Sequence, residues 1–274
     1  MTLMAILMGT IAAGIGSVWL AALLSFGVLA RYTTHMLSLA AGALLATAFM
    51  HLLPEAFESQ ADAHDLFATL LVGLVFFFLL DKAELWHHVH EHRADENAGS
   101  QALQDPGHDH EHDHEHGHQH SHGGKGGGWA ILAGDCVHAF GDGVLIAAAF
   151  MADLRLGFVA ALAVLVHEVP HHMGDLMVLR QSSSSRRFAL VKVSLAGSVT
   201  ALGGVIGYGL VDQVRNYLPF FLIMASSSFV YVALADLIPQ LQTRVTAKET
   251  AAQIAWLAIG IGLVTLIGSV VERH

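Results

Sequence analysis

The sequence predicts an all-α integral membrane protein with eight transmembrane helices and a disordered histidine-rich loop between helices 3 and 4. Hydrophobic residues make up 54% of the 274 residues and charged residues only 13%, and the mean hydropathy is +0.55. Soluble domains carry about 25% charged residues, so this composition indicates a lipid environment. A helix needs about 20 mostly apolar residues to cross a bilayer, and the chain offers eight such stretches.

The first stretch is longer than the core of a signal peptide and follows no charged leader, so we expect it to be a true helix. Apart from one polar loop the connections are short, which predicts that neighbouring helices pack antiparallel. Residues 1–91 should hold helices 1–3, residues 92–128 a cytoplasmic loop and residues 129–274 helices 4–8, within one membrane domain. The predicted helices cover residues 2–30, 35–56, 65–90, 129–151, 156–180, 188–211, 217–239 and 252–271.

Basic residues predict the orientation of the chain in the plasma (inner) membrane. If both termini lie outside the cytoplasm, ten of the 13 lysines and arginines fall on the inner side. This distribution satisfies the positive-inside rule. The inner residues are Arg31, Lys82, Arg93, Lys125, Arg180, Arg186, Arg187, Lys192, Arg244 and Lys248, and the outer ones are Arg155, Arg215 and Arg273.

The polar loop contains the run HDHEHDHEHGHQHSH, in which every even-numbered residue from 108 to 122 is histidine. Glycine and acidic residues dominate the rest, so the loop cannot bury a core and should be disordered without metal. Alternating imidazoles and carboxylates bind metal almost regardless of conformation, although a charged spacer is the alternative interpretation. Nothing in the composition indicates a nucleic-acid partner. The predicted ligands are His108, His110, His112, His114, His116, His118, His120 and His122.

The fourth and fifth apolar stretches carry matched pairs of metal-binding residue types. The run GDCVHAFGDG places His138 and Asp142 four residues apart, and VLVHEVPHHMGD repeats that spacing with His167 and His171. Residues four apart share a helical face, so the two pairs can converge on one ion. Three imidazoles and one carboxylate suit zinc, iron, cobalt or cadmium rather than magnesium or calcium. Structural hydrogen bonding between helices is the alternative.

Further polar residues on the fifth helix point to a pathway beside this site. Pro170 has no amide proton, so the carbonyl of Val166 loses its helical hydrogen bond. A free carbonyl is tolerated at membrane depth only where protein or a water-filled cavity satisfies it. Glu168, His172 and Asp175 form a second polar stripe, rotated from the ligands. Glu168 could bridge a second ion or relay protons.

Other polar positions are weaker candidates. His51 and Glu55 end helix 2, and Asp236 lies near the inner end of helix 7, so each is a possible waypoint for an ion. Asp175 has a second interpretation, in which it anchors the inner end of helix 5 through Arg180.

The central motifs resemble those of the ZIP (Zrt/Irt-like protein) family of divalent-metal transporters, especially its histidine-rich branch. That branch has a helix-4 motif like HNFxDG and a helix-5 motif like HExPHExGD, which stand here as HAFGDG at 138–143 and HEVPHHMGD at 167–175. The resemblance covers most of the chain. It extends to AGALLATAFMHLLPEAF in helix 2, FFFLLDK in helix 3, the histidine loop and FVYVALADLIP in helix 7.

The resemblance implies eight helices with outward termini and a primary transport site formed by His138, Asp142, His167 and His171. It also implies a non-enzymatic carrier, often a homodimer, that moves metal into the cytoplasm by alternating access as a transport bundle slides against a scaffold. The implied substrate is Zn²⁺, with Fe²⁺, Mn²⁺, Cd²⁺ and Co²⁺ as further possibilities.

The chain departs from the family members that bind two ions. Ala139 replaces the usual asparagine after the helix-4 histidine, Thr200 stands at the helix-6 glutamate position, and His171 replaces a helix-5 glutamate. His172 likewise stands where the branch motif has glutamate. We therefore expect one ion, with Glu168 as an auxiliary ligand.

An intramembrane zinc metalloprotease is the alternative from another functional class. HEVPH matches the H-E-x-x-H pattern, in which Glu168 would be the general base and Asp142 a third ligand. Pro170 is awkward for the continuous helix that such a protease needs, and His138 would fill the position that catalysis leaves open for water. A cation-diffusion-type exporter would have six spans and a soluble C-terminal domain, whereas this chain is expected to end after its last helix.

Overall fold

The computed structural model describes residues 2–25, 33–100, 127–182, 186–242 and 246–272. At the margins of these ranges, chiefly 83–100, 127–134 and 177–182, it describes the backbone alone. Throughout the described residues the chain forms helices joined by turns, and no strand occurs among them. Eight of the described helices are long and apolar enough to cross a bilayer, so the prediction of an all-α membrane protein with eight spans is confirmed.

The helices are numbered in chain order, with π turns included in the helix that contains them. They are α1 (Thr2–Ile11, Ala12–Gly16 and Ser17–Ser25), α2 (Thr33–Thr47, Ala48–Leu52 and Leu53–Phe57), α3 (Ala63–Ser100), α4 (Gly127–Ala152), α5 (Leu154–Ser182), α6 (Arg186–Gln213), α7 (Leu218–Tyr231, Val232–Leu237 and Ile238–Leu241) and α8 (Ala247–Glu272).

The third helix is longer than its apolar part. Its membrane-length segment is Ala63–Lys82, but the helical backbone continues to Ser100, beyond residue 92 where the sequence predicted the loop to begin. The extension contains no proline and many alanine, glutamate and histidine residues, which a helix accommodates without an apolar environment. The histidine tract at 108–122 lies outside the described residues.

Two of the π turns each precede a proline by two residues. The turn Ala48–Leu52 precedes Pro54, and the turn Val232–Leu237 precedes Pro239. In these turns Leu53 N–H donates to the Ala48 carbonyl and Ile238 N–H donates to the Ala233 carbonyl, which is the i→i+5 bonding of a π turn. Composition and hydropathy carry no signal for such turns, which is why the sequence predicted these helices as regular.

The helices pack closely where glycine removes the side chain from the contact. A Cβ atom added to Gly143 of α4 would collide with the backbone oxygen of Thr200 of α6, and one added to Gly42 of α2 would collide with that of Leu257 of α8. In a membrane the hydrophobic effect does not drive helices together, so their association depends on close packing of this kind. These contacts hold α4 against α6 and α2 against α8, and α5 lies between α4, α1 and α2.

Candidate metal centre

Four metal-binding side chains converge at the contact between α4 and α5. His138 and Asp142 come from successive turns of α4, and His167 and Glu168 come from α5. One potential ligand atom from each lies within 4.8 Å of the corresponding atoms of the other three. His167 Nε2 is the centre of the group, 3.3 Å from Asp142 Oδ2, 3.2 Å from Glu168 Oε1 and 3.5 Å from His138 Nε2.

Three of the four residues in this cluster are buried, and the fourth is partly exposed. The exposed fractions are 2% for Asp142, 1% for His167 and 2% for Glu168, whereas the side chain of His138 is 32% exposed. Two buried carboxylates would carry two negative charges, and buried charge is costly unless a partner neutralises it. A divalent cation between them would balance that charge, and His138 is the most exposed member of the cluster.

The backbone of α5 orients the ring of His167 so that Nε2 faces the cluster. Its Nδ1 atom lies 3.2 Å from the carbonyl oxygen of Ala163. A carbonyl oxygen can only accept a hydrogen bond, so this contact needs a proton on Nδ1 and leaves Nε2 as the ring nitrogen that could bind an ion. Contacts of this kind orient ligating histidines in metal sites generally.

His171, predicted as a ligand, lies beside the cluster but faces α7. Its Nε2 atom is 3.1 Å from Asp236 Oδ2, and its ring centroid is 6.0 Å from that of His167 and 6.1 Å from that of His138. Asp236 belongs to a π turn of α7, a feature that recurs at functional sites, and it also accepts a hydrogen bond from Gln240 Nε2 at 2.9 Å. Glu168, predicted as an auxiliary ligand, occupies the place in the cluster that the sequence assigned to His171.

The second polar stripe of α5 leads away from the cluster along the helix. His172 Nε2 lies 3.1 Å from Glu168 Oε2, and His172 Nδ1 lies 3.6 Å from Asp175 Oδ2. Asp135 of α4 completes this group with His172 and Asp175, again within 4.8 Å. Sequence reasoning missed Asp135, although its spacing of three and seven residues from His138 and Asp142 places all three on one helical face.

The predicted waypoints on α2 lie away from both groups. His51 packs against Gly268 of α8, and Glu55 lies in the field of Asp153 and Arg155 at the turn that joins α4 to α5. That turn joins the last residue of α4 to the first residue of α5. Glu55 therefore lies near the end of the helix pair that is opposite to the first residues of α4.

A third group with metal-binding residue types, formed by Asp62, His64 and Asp65, lies on the surface between α2 and α3. All three residues are exposed, and His64 Nδ1 lies 3.9 Å from Asp65 Oδ1. Exposed acidic groups are common, and water can satisfy these side chains. We therefore do not interpret this group as a metal-binding site.

Comparison with known proteins gives a family match and several similar proteins. The family described as ZIP Zinc transporter matches residues 1–268. Zinc transporter foi of Drosophila melanogaster is 32% identical over 140 residues, which is 51% of this chain and 20% of that protein. Zinc transporter ZIP10 of Danio rerio is 34% identical over 113 residues, 41% of this chain and 13% of that protein.

A longer alignment joins the chain to zinc transporter ZIP13 of Mus musculus, which is 26% identical over 262 residues, 87% of this chain and 70% of that protein. The chain thus spans a fifth or less of foi and of zebrafish ZIP10, but most of mouse ZIP13.

Proposed function

The chain belongs to the ZIP family of zinc transporters, and on that premise we propose that it carries zinc into the cytoplasm through the cluster of His138, Asp142, His167 and Glu168. The observation that carries the proposal is this buried group of two imidazoles and two carboxylates at the α4–α5 contact. It is a neutralising, four-ligand environment for a divalent ion. Fe²⁺, Mn²⁺, Cd²⁺ and Co²⁺ are further substrates that such ligands accept.

Transport requires that the ion be held and then released, and His171 offers a way to exchange ligands. Its partner Asp236 lies on α7, outside the α4–α5 pair, and both side chains are partly exposed. When the ion arrives past His138, His171 leaves Asp236 and binds it, which restores the three-imidazole set expected from the sequence. A shift of α5 relative to α7 reverses the exchange, and the site alternates between the two faces.

The distribution of charge supports the orientation that we propose. Ten basic residues against three favour outward termini and an inward histidine tract, and we propose the plasma (inner) membrane as the location. Because α4 begins directly after the tract, ions that leave the cluster along α4 towards its first residues reach histidines that can accept them. We propose a homodimer as the assembly, as the family resemblance implies.

The protease alternative does not fit the surroundings of Glu168. A general base needs a carboxylate oxygen free to take a proton from water. Both oxygens of Glu168 face imidazoles, with Oε1 at 3.2 Å from His167 Nε2 and Oε2 at 3.1 Å from His172 Nε2. His138 also supplies a fourth potential ligand, where a catalytic zinc site keeps a position open for water.

The test is zinc flux into proteoliposomes that contain the full-length protein. Wild type should accumulate zinc, and His167→Ala should reduce the initial rate at least about tenfold because it removes the central ligand. Glu168→Gln should lower the rate less severely, since an amide oxygen can still ligate. His64→Ala is the matched control, because it removes an exposed histidine beside a carboxylate.

A wild type that moves no zinc but cleaves peptides in a zinc-dependent manner, with cleavage lost in Glu168→Gln, would establish the protease instead. Equal rates for wild type and His167→Ala would show that the cluster is not the transport site.

A further inference from the structure

Metal-binding residue types continue along the α4–α5 contact beyond the proposed transport site. On α4, Asp135 precedes His138 by three residues, and on α5, His172 follows Glu168 by four. The two helices run antiparallel, so both steps lead in the same direction, towards the end where α4 begins. At 1.5 Å per residue these steps are about 4.5 and 6 Å, or roughly one helical turn.

We propose that Asp135, His172 and Asp175 form a second binding site for a divalent transition-metal ion, one turn from the transport cluster. Potential ligand atoms of the three side chains lie within 4.8 Å of one another. Two carboxylates again match the charge of one divalent cation. One imidazole with two carboxylates suits zinc, iron or manganese and leaves a coordination position for water or an incoming ligand.

The state of His172 is the independent observation that points to a ligand. Its exposed fraction is 0%, and among the described residues its Nδ1 atom has no hydrogen-bond partner of suitable geometry. Asp135 Oδ2 is also buried without such a partner. Buried polar atoms in native proteins are normally satisfied, so a group left in this way calls for an unseen partner. A cation between Nδ1 and the two carboxylates satisfies both residues.

Glu168 connects the second site to the first. Its Oε1 atom faces His167 and His138 at 3.2 and 3.6 Å, and its Oε2 atom lies 3.1 Å from His172 Nε2. With Nε2 protonated towards Glu168, His172 presents the lone pair of Nδ1 towards Asp175. This is the carboxylate–histidine–metal arrangement in which an outer carboxylate orients the ligand. One carboxylate thus binds the first ion and positions a ligand of the second.

The second site suits release better than capture. It has three protein ligands rather than four, and the side chain of Asp175 is partly exposed, whereas Asp142 and Glu168 are buried. An ion moved there by one helical turn lies closer to the end of α4 that follows the histidine tract. The role of the second site in passing on a transported ion rests on the proposed transport function, whereas the binding of an ion at that site does not.

The experiment counts zinc ions bound to the full-length protein. Purified protein is stripped with a chelator, loaded with zinc, separated from free metal by gel filtration and measured by elemental analysis. His172→Leu should bind one ion fewer than wild type. His172→Glu restores a ligand and should bind as many as wild type, as should His64→Leu, which changes an exposed histidine between two aspartates. The histidine tract is the same in every variant, so only the differences count.

A zinc-edge anomalous diffraction map of the wild type should show a peak between Asp135, His172 and Asp175. If folded His172→Leu binds as many ions as wild type, or the map lacks that peak, the second site is refuted. If His172→Leu fails to fold, the same comparison is made with Asp135→Asn, which preserves side-chain volume.

Flux separates this inference from the transport proposal. Zinc bound at the second site in a protein that moves no zinc would refute transport and leave the site standing. Normal zinc flux with an unchanged ion count in His172→Leu would refute the site and leave transport standing.

Discussion

Charge and position together decide what each residue at the α4–α5 contact can do. The two carboxylates of the first cluster, Asp142 and Glu168, are buried and face histidine nitrogens at 3.2 to 3.8 Å. Zinc lies about 2.0 to 2.2 Å from nitrogen and oxygen ligands, so ligand atoms around one ion are separated by distances of this order. The separations in the cluster are therefore compatible with a shared ion.

Replacement of Asp236 tests the proposed exchange of His171 between Asp236 and the ion. Asp236→Asn weakens the contact that holds His171 towards α7, so His171 should bind the ion more readily. A partly exposed ion pair contributes about 0.2–1 kcal/mol, so zinc affinity should rise by no more than about fivefold. Flux should fall, because release loses its competing partner.

Zinc titration of the purified protein and initial flux rates measure the two effects, with Gln240→Ala as the control for loss of the other side chain that binds Asp236. Weaker zinc binding in Asp236→Asn would show that Asp236 is a ligand or a stabilising element rather than a competitor.

The residues of the cluster could largely be chosen from sequence, because spacing on a helix reports which side chains share a face. His138, Asp142 and His167 come together as the i, i+4 pattern predicts. The orientation of His171 could not be chosen in this way. It depends on the distance between α5 and α7 and on a side-chain rotamer, and neither is written in the local sequence.

At the scale of helices, close packing around the site depends on glycine. Gly143 directly follows Asp142 and faces the backbone of Thr200 on α6, so this contact sets how near α4 can approach α6. A methyl group there would have to displace a backbone rather than the end of a flexible side chain. The position of Asp142 therefore depends on an element contact as well as on its own helix.

Gly143→Ala should destabilise the protein by about 1–3 kcal/mol, the usual cost of overpacking, and lower zinc flux with it. Gly141→Ala is the matched control on the same helix, because a Cβ atom at Gly141 would meet nothing within 4 Å. That variant should be neutral or slightly stabilising, since alanine favours a helix over glycine by about 1 kcal/mol. Thermal unfolding in detergent measures both, and equal melting temperatures would show that α4 and α6 can separate at no cost.

Hydropathy predicted the existence of every helix because membrane-length apolar runs are unambiguous. It did not predict the π turns at Ala48–Leu52 and Val232–Leu237, each of which is followed two residues later by a proline. The polar continuation of α3 to Ser100 was also missed, since a helix outside the bilayer needs no apolar residues. Backbone hydrogen bonding, rather than side-chain hydropathy, decided these features.

Across the whole molecule, two groups of metal-binding residue types follow one another along the α4–α5 pair. The proposed transport cluster lies at mid-length, and Asp135, His172 and Asp175 lie about one turn further on. The chain segment before α4 carries the histidine tract. The sequence places its most concentrated metal ligands shortly before α4, and we propose an accessory role for the tract in accepting zinc.

Replacement of all eight tract histidines by asparagine tests that role while it preserves the length of the loop. The number of zinc ions bound per protein should fall, because the tract supplies imidazoles independent of the membrane site. The initial rate of zinc flux into proteoliposomes should stay within about twofold of wild type, since imidazoles outside the α4–α5 contact are not needed to neutralise the ion within it. Elemental analysis and flux on the same preparation measure both quantities. A well-folded variant without zinc flux would show instead that the tract is an obligatory step of the pathway, and the line of sites would then extend from α4 into the loop.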